Sequence, residues 1–187
     1  MSRIAVFGAG YVGLVTGACF ADLGHEVVVR DILPERIERL QAGEVPIYEP
    51  GLEQVMERNR DRIAFTLGVA EAVDGAEFLY VAVGTPPTES GDADLRAVWS
   101  VVDELPAGIP GRPIVVMKST VPVGTGENVR RLLLRRPVDG CRGERLVERR
   151  ADDDGDHRAL RLLAQARRQS LDVRVTEQVR HLASRDL

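Results

Sequence analysis

The chain has 187 residues, 44% of them hydrophobic and 29% charged, and a net charge of −4. That length suits about one domain plus an appendage, with enough residues to bury a core, and the composition is that of soluble globular proteins. No apolar run reaches the roughly 18 residues a membrane helix needs, and the two cysteines, Cys19 and Cys141, are too few for a disulfide framework and lack metal-ligand spacing.

In chain order, residues 3–7 read as an apolar strand, followed by the turn Gly8-Ala9-Gly10-Tyr11-Val12-Gly13, an apolar helix over 14–23 and a second strand over 26–30 closed by Asp31. The spacing is that of a dinucleotide grip. Gly8 allows the tight turn, Gly10 lets a pyrophosphate approach the backbone, and Gly13 lets the helix pack close to the sheet with its free N–H groups facing the phosphates. Asp31 stands near the distance, about 20 residues on, at which a carboxylate meets the ribose hydroxyls. It favours NAD over NADP by repelling a 2′-phosphate, whereas Arg30 or Arg36 beside it is the kind of group that accommodates that phosphate. The apolar start has glycines inside it and no cleavage-site pattern behind a basic segment, so it is read as a strand and not as a signal peptide, and a cytoplasmic location is expected.

Pro34 fits the first turn of a helix carrying Ile37 and Leu40 and ending at Gly43. Residues 45–52, with two prolines and a glycine in an apolar setting, form an ordered turn, and a helix over about 50–60 leads to a third strand over 63–67. A short helix near 69–73 follows. The fourth strand, 77–83, is a continuous apolar run suited to a sheet covered on both faces. It ends in Gly84-Thr85-Pro86-Pro87, at a strand terminus where open α/β sheets bind ligands, so Thr85 is a candidate for the cofactor crevice or simply begins a proline turn. Asp94 is the expected N-cap of a helix to Leu105, in which Trp99 packs. A fifth strand over 113–117 runs into Lys118-Ser119-Thr120, and a helix from near Gly124 to about Arg135 comes next. Strands alternating with helices predict an α/β fold, a Rossmann-type doubly wound and mostly parallel sheet.

These stretches together resemble the NAD-binding domain of the UDP-glucose/GDP-mannose dehydrogenase family, nearest its UDP-glucose 6-dehydrogenases. The resemblance covers residues 1–135 and is carried by Gly8-Ala9-Gly10-Tyr11-Val12-Gly13-Leu14, Ile47-Tyr48-Glu49-Pro50-Gly51-Leu52, residues 81–87, Ala93-Asp94-Leu95 and residues 118–125. It implies oxidation of the C6 hydroxymethyl of a nucleotide sugar such as UDP-glucose to a carboxylate with two NAD in succession, through a cysteine-bound intermediate. It further implies that Tyr11, Val12, Asp31, Arg36, Thr85 and Thr120 contact the cofactor, with Tyr11 also part of the signature and Thr120 also beside the reacting centre. The family's Asn-Pro-Glu-Phe-Leu segment and the Gly-x-Cys-x-Pro-Lys-Asp context of its nucleophile are not found, and neither Cys19 nor Cys141 matches. Half an active site is therefore expected, completed if at all by a separate chain, with a noncatalytic dinucleotide-binding module as the alternative.

Residues 136–187 are expected to form an atypical tail. Residues 1–129 carry nineteen acids against ten basic side chains, and residues 130–187 ten acids against fifteen arginines. Residues 158–168 have helical periodicity and 171–175 alternate like a strand. One reading is a disrupted reading frame, which fails if no family motif appears in the other two frames of the coding DNA. An arginine-rich arm for nucleic acid is disfavoured by the interspersed acids and the lack of stacking aromatics, so no nucleic-acid or membrane partner is expected.

Overall fold

A computed structural model describes residues 1–106, 109 and 113–135. Five strands form one parallel sheet: β1 (Arg3–Phe7), β2 (Glu26–Arg30), β3 (Ile63–Thr66), β4 (Phe78–Val81) and β5 (Ile114–Met117), in the order β3-β2-β1-β4-β5. Among the described residues the helices are α1 (Tyr11–Asp22), α2 (Pro34–Gln41), α3 (Leu52–Arg58), α4 (Val69–Val73), α5 (Arg96–Glu104) and α6 (Thr125–Arg135), with a 3-10 turn at Arg60–Arg62. The strand order reverses between β1 and β4, which places a switch point above the C-terminal ends of those two strands. The tail features read at 158–168 and 171–175, and Cys141, lie outside the described residues.

Strand alternation sorts the core into two layers. Ile4, Val6, Val27, Val29, Phe78 and Tyr80 face α1 and α3, which contribute Leu14, Ala18, Phe20, Leu52 and Val55. Ala5, Phe7, Val28, Leu79 and Val81 pack on the other side against α4 and α5, through Ala72, Val98 and Val101. Side chains such as Phe7, Phe20 and Phe78 each stabilise the fold by roughly 1.5–3 kcal/mol through burial. Both layers fit the apolar run read for the fourth strand.

The strands β3, β4 and β5 are one to three residues shorter than read, β4 spanning Phe78–Val81 instead of 77–83, and three helix ends also differ. Helix α1 begins at Tyr11 because the backbone of Gly10 caps it, with the Leu14 N–H donating to the Gly10 carbonyl at 2.9 Å. Helix α3 stops at Arg58, where Asn59 donates from its amide to Asp22 and to the Val55 carbonyl, both at 2.9 Å. Helix α5 is capped by Leu95 rather than Asp94, yet the Asp94 carboxylate still accepts from the Arg96 N–H at 3.0 Å, and the Arg96 side chain and N–H hold its carboxyl down at about 2.

Tyr80 is fully buried beside Phe20, at a ring separation of 5.0 Å, and among the described residues its hydroxyl has no hydrogen-bond partner. Burial pushes its phenol up to about 12 from the ordinary 10. A folded-state value above the unfolded one means that this group's contribution is fully present below pH 10 and is lost as pH rises toward 12. The urea midpoint should therefore fall across that window. In Tyr80→Phe the fall should be shallower; an unchanged slope would show that other groups govern alkaline unfolding.

Candidate functional site

The site is built where the chain leaves β1. Gly8 turns at φ 108°, and a Cβ there would lie 2.7 Å from the Ala82 carbonyl oxygen, so the turn is pressed against the end of β4. Its N–H donates to the Arg30 carbonyl at 2.7 Å, fastening the same turn to β2. A Cβ on Gly13 would stand 1.7 Å from the Gly8 carbonyl oxygen, which shows how closely the start of α1 sits on the turn. At Gly10 a Cβ would meet nothing within 4 Å. The first-turn N–H groups, Tyr11 to Gly13, have no upstream carbonyl inside the helix and point out of its N-terminus. Open space at Gly10 together with free donors forms a cradle that fits the pyrophosphate of a dinucleotide.

Asp31, 6% exposed at the tip of β2, is joined to this cradle. Its Oδ2 accepts from the Ala9 N–H at 2.7 Å and from an Arg36 guanidinium nitrogen at 3.0 Å, while Oδ1 accepts from the Leu33 N–H at 3.0 Å. The two arginines near the acid are placed differently. Arg36 lines the cleft, whereas Arg30 is tied to the Glu104 carboxylate and to the Leu67 carbonyl.

On the other side of the switch point, Thr85 and Thr120 come together: the Thr85 hydroxyl donates to the Thr120 carbonyl at 2.9 Å. Ser119, which the sequence reading did not single out, joins the two loops, its hydroxyl lying 2.7 Å from the Val83 carbonyl and 3.2 Å from that of Val81. Backbone bonds from Lys118 and Ser119 to the Val81 carbonyl, both 2.9 Å, complete the stitch.

A cleft of about 680 Å³ opens beside the cradle, lined by Ala9, Gly10, Leu33, Arg36, Pro46 and Ile47. A larger hollow of about 1010 Å³ lies along β3, among Arg39, Gly43, Glu57, Arg60 and Phe65, but it contains none of the glycine turn. Tyr11 and Val12 are exposed at the start of α1. The Tyr11 hydroxyl donates to Glu49 at 2.7 Å, and Glu49 beside it pushes the phenol up. Cys19 is half-buried, and burial followed by the Asp22 charge pushes its thiol up, a setting that disfavours the thiolate. Among the described residues no cluster of His, Cys, Asp and Glu could hold a metal ion, and no helix is long and apolar enough to cross a membrane.

Residues 2–144 match the model of the UDP-glucose/GDP-mannose dehydrogenase family NAD binding domain. The chain is 50% identical over 133 residues to a UDP-glucose 6-dehydrogenase of Pseudomonas aeruginosa, covering 70% of this chain and 29% of that protein. It is 44% identical over 135 residues to a UDP-glucose 6-dehydrogenase of Bacillus subtilis, covering 71% and 29% respectively. Among solved structures it resembles a UDP-glucose dehydrogenase of Pyrobaculum islandicum with a TM-score of 0.66 at 44% identity, covering 71% of this chain and 32% of that one. The chain thus spans about 30% of the length of the relatives it matches.

Proposed function

Because the chain belongs to the UDP-glucose/GDP-mannose dehydrogenase family and carries its NAD-binding domain, we propose that it serves the NAD-dependent oxidation of a nucleotide sugar, UDP-glucose in the first instance, by holding the cofactor. The observation that carries this is the convergence, at one end of the sheet, of the open Gly10 cradle, the Asp31 carboxylate and the Thr85–Thr120 contact. NAD supplies a hydride acceptor when bound.

The chain's own groups divide the binding work. The first-turn N–H groups of α1 would take the pyrophosphate charge, with Gly10 leaving room for it. Asp31, held by Ala9, Leu33 and Arg36, would accept from the ribose hydroxyls. Thr85 and Thr120, fixed by Ser119 at the ends of β4 and β5, would line the other half of the crevice, and the Thr120 hydroxyl is available to orient a water or the sugar oxygen. Residues 1–135 would form this cofactor domain, acting in the cytoplasm. Neither Cys19, whose thiol is pushed up by burial, nor Cys141 stands in the family's nucleophile context, so the nucleophile would come from a separate polypeptide.

Mixing the purified chain with NAD and UDP-glucose should yield no NADH. Adding the complementary part of the Pseudomonas aeruginosa relative should yield it. NADH from the chain alone would contradict the division of labour, and a mixture that assembles without making NADH would contradict the sugar-nucleotide reading.

A further inference from the structure

The motif Ile47-Tyr48-Glu49-Pro50-Gly51-Leu52 has no role in the cradle itself, yet the structure places it against the cleft. It belongs to the connection between α2 and α3, which leaves Gly43 at φ 86° and enters α3 through Gly51 at φ 86°. Between these points Val45 and Ile47 pack on the core cluster that includes Leu40, Leu52 and Val55. Pro46 and Ile47 line the cleft of about 680 Å³ together with Ala9 and Gly10. Tyr48 is 92% exposed and anchors nothing. The side-chain tie from this segment to the glycine-turn side is Glu49, whose carboxylate accepts the Tyr11 hydroxyl at 2.7 Å, across 38 residues of sequence. Tyr11 is the first residue of α1, so the tie connects the cleft wall directly to the helix whose N–H groups form the cradle.

We propose that Glu49 is a positioning residue for the cofactor: through the Tyr11 hydroxyl it latches segment 44–50 to the start of α1 and so fixes the width of the cleft. The Tyr11 hydroxyl is thereby committed to the protein, and its share in cofactor binding is exerted through the strap. The inference rests on the reading of this cleft as the NAD site. A carboxylate accepting a neutral hydroxyl forms one of the stronger single hydrogen bonds, though both groups are partly open to water here. Its loss leaves Val45 and Ile47 as the remaining anchors, enough to keep the fold but with a looser wall.

The full 187-residue chain is the test material. Tyr11→Phe and Glu49→Ala remove the latch, while Glu49→Gln keeps an acceptor for the hydroxyl. Both latch-free variants should weaken NAD binding about threefold to tenfold, the double variant should lose no more than either single one, and Glu49→Gln should recover most of the loss. Hydrogen exchange of the 44–50 amides without NAD should be faster in Tyr11→Phe and Glu49→Ala than in the wild-type chain. If wild-type protein fails to bind NAD, the cleft reading itself fails. If it binds and Glu49→Ala matches it in affinity and exchange, the latch is overturned. Loss in Tyr11→Phe alone, with Glu49→Ala unaffected, would likewise overturn it and assign Tyr11 a direct contact.

Discussion

Gly13→Ala should destabilise the chain by more than about 3 kcal/mol, a large part of the 5–15 kcal/mol that holds an ordinary domain together. The added Cβ would lie 1.7 Å from the Gly8 carbonyl oxygen and 2.9 Å from its carbon. Both obstacles are backbone, so no rotamer change relieves them, and α1 must shift off the turn. That shift would pull Leu14, Ala18 and Phe20 from their places over β1 and β2. Gly10→Ala is the contrasting variant. Its Cβ meets nothing within 4 Å, so stability should change by less than about 1 kcal/mol, the scale of a helix N-cap preference. NAD affinity should nonetheless fall about tenfold or more, because the methyl group enters the space a pyrophosphate needs. Urea unfolding followed by circular dichroism, alongside NAD titration, separates the two effects. Equal stability of both variants would contradict the close packing at Gly13, and full NAD affinity in Gly10→Ala would remove the pyrophosphate from that cradle.

Asp31→Asn should shift cofactor choice more than any other conservative change. The carboxylate engages the Ala9 and Leu33 N–H groups and the Arg36 guanidinium, and all three of these partners line the cleft. An asparagine keeps one acceptor oxygen and turns an amino group toward a donor, at a stability cost of about 1–3 kcal/mol. It also removes the charge that opposes a 2′-phosphate and frees Arg36, which lines the cleft, to meet one. The preference for NAD over NADP should shrink toward equality, and Arg36→Ala in the same background should take away the gain for NADP. Arg30 should have no part in this, since Glu104 and the Leu67 carbonyl hold it elsewhere. An unchanged preference in Asp31→Asn would take Asp31 out of the ribose site.

Much of this architecture was legible in the residues. The fourth strand announced itself because a parallel strand covered on both faces must be apolar throughout, and Phe78, Leu79, Tyr80 and Val81 are all fully buried. The turn at Gly8 and the close approach at Gly13 follow from what glycine alone permits. Helix starts were less legible where a backbone carbonyl, not a side chain, supplies the cap: Gly10 begins α1 three residues ahead of the expected position, and Leu95 displaces Asp94. Contacts between distant segments left no local signal. Nothing in the spacing of Tyr11 and Glu49 or of Asp31 and Ala9 announces a hydrogen bond, and only their distant partners distinguish Arg30 from Arg36. Ser119 was hidden inside a motif noted for its threonine, although its hydroxyl joins the loops after β4 and β5.

The most direct measurement is a calorimetric titration of the purified 187-residue chain with NAD and, separately, with NADP. Saturable binding of one NAD per chain, with NADP about tenfold weaker (~1.4 kcal/mol), is the expected result. No heat at millimolar NAD, or tighter binding of NADP, would contradict a cofactor site built from the Gly8–Gly13 turn and Asp31.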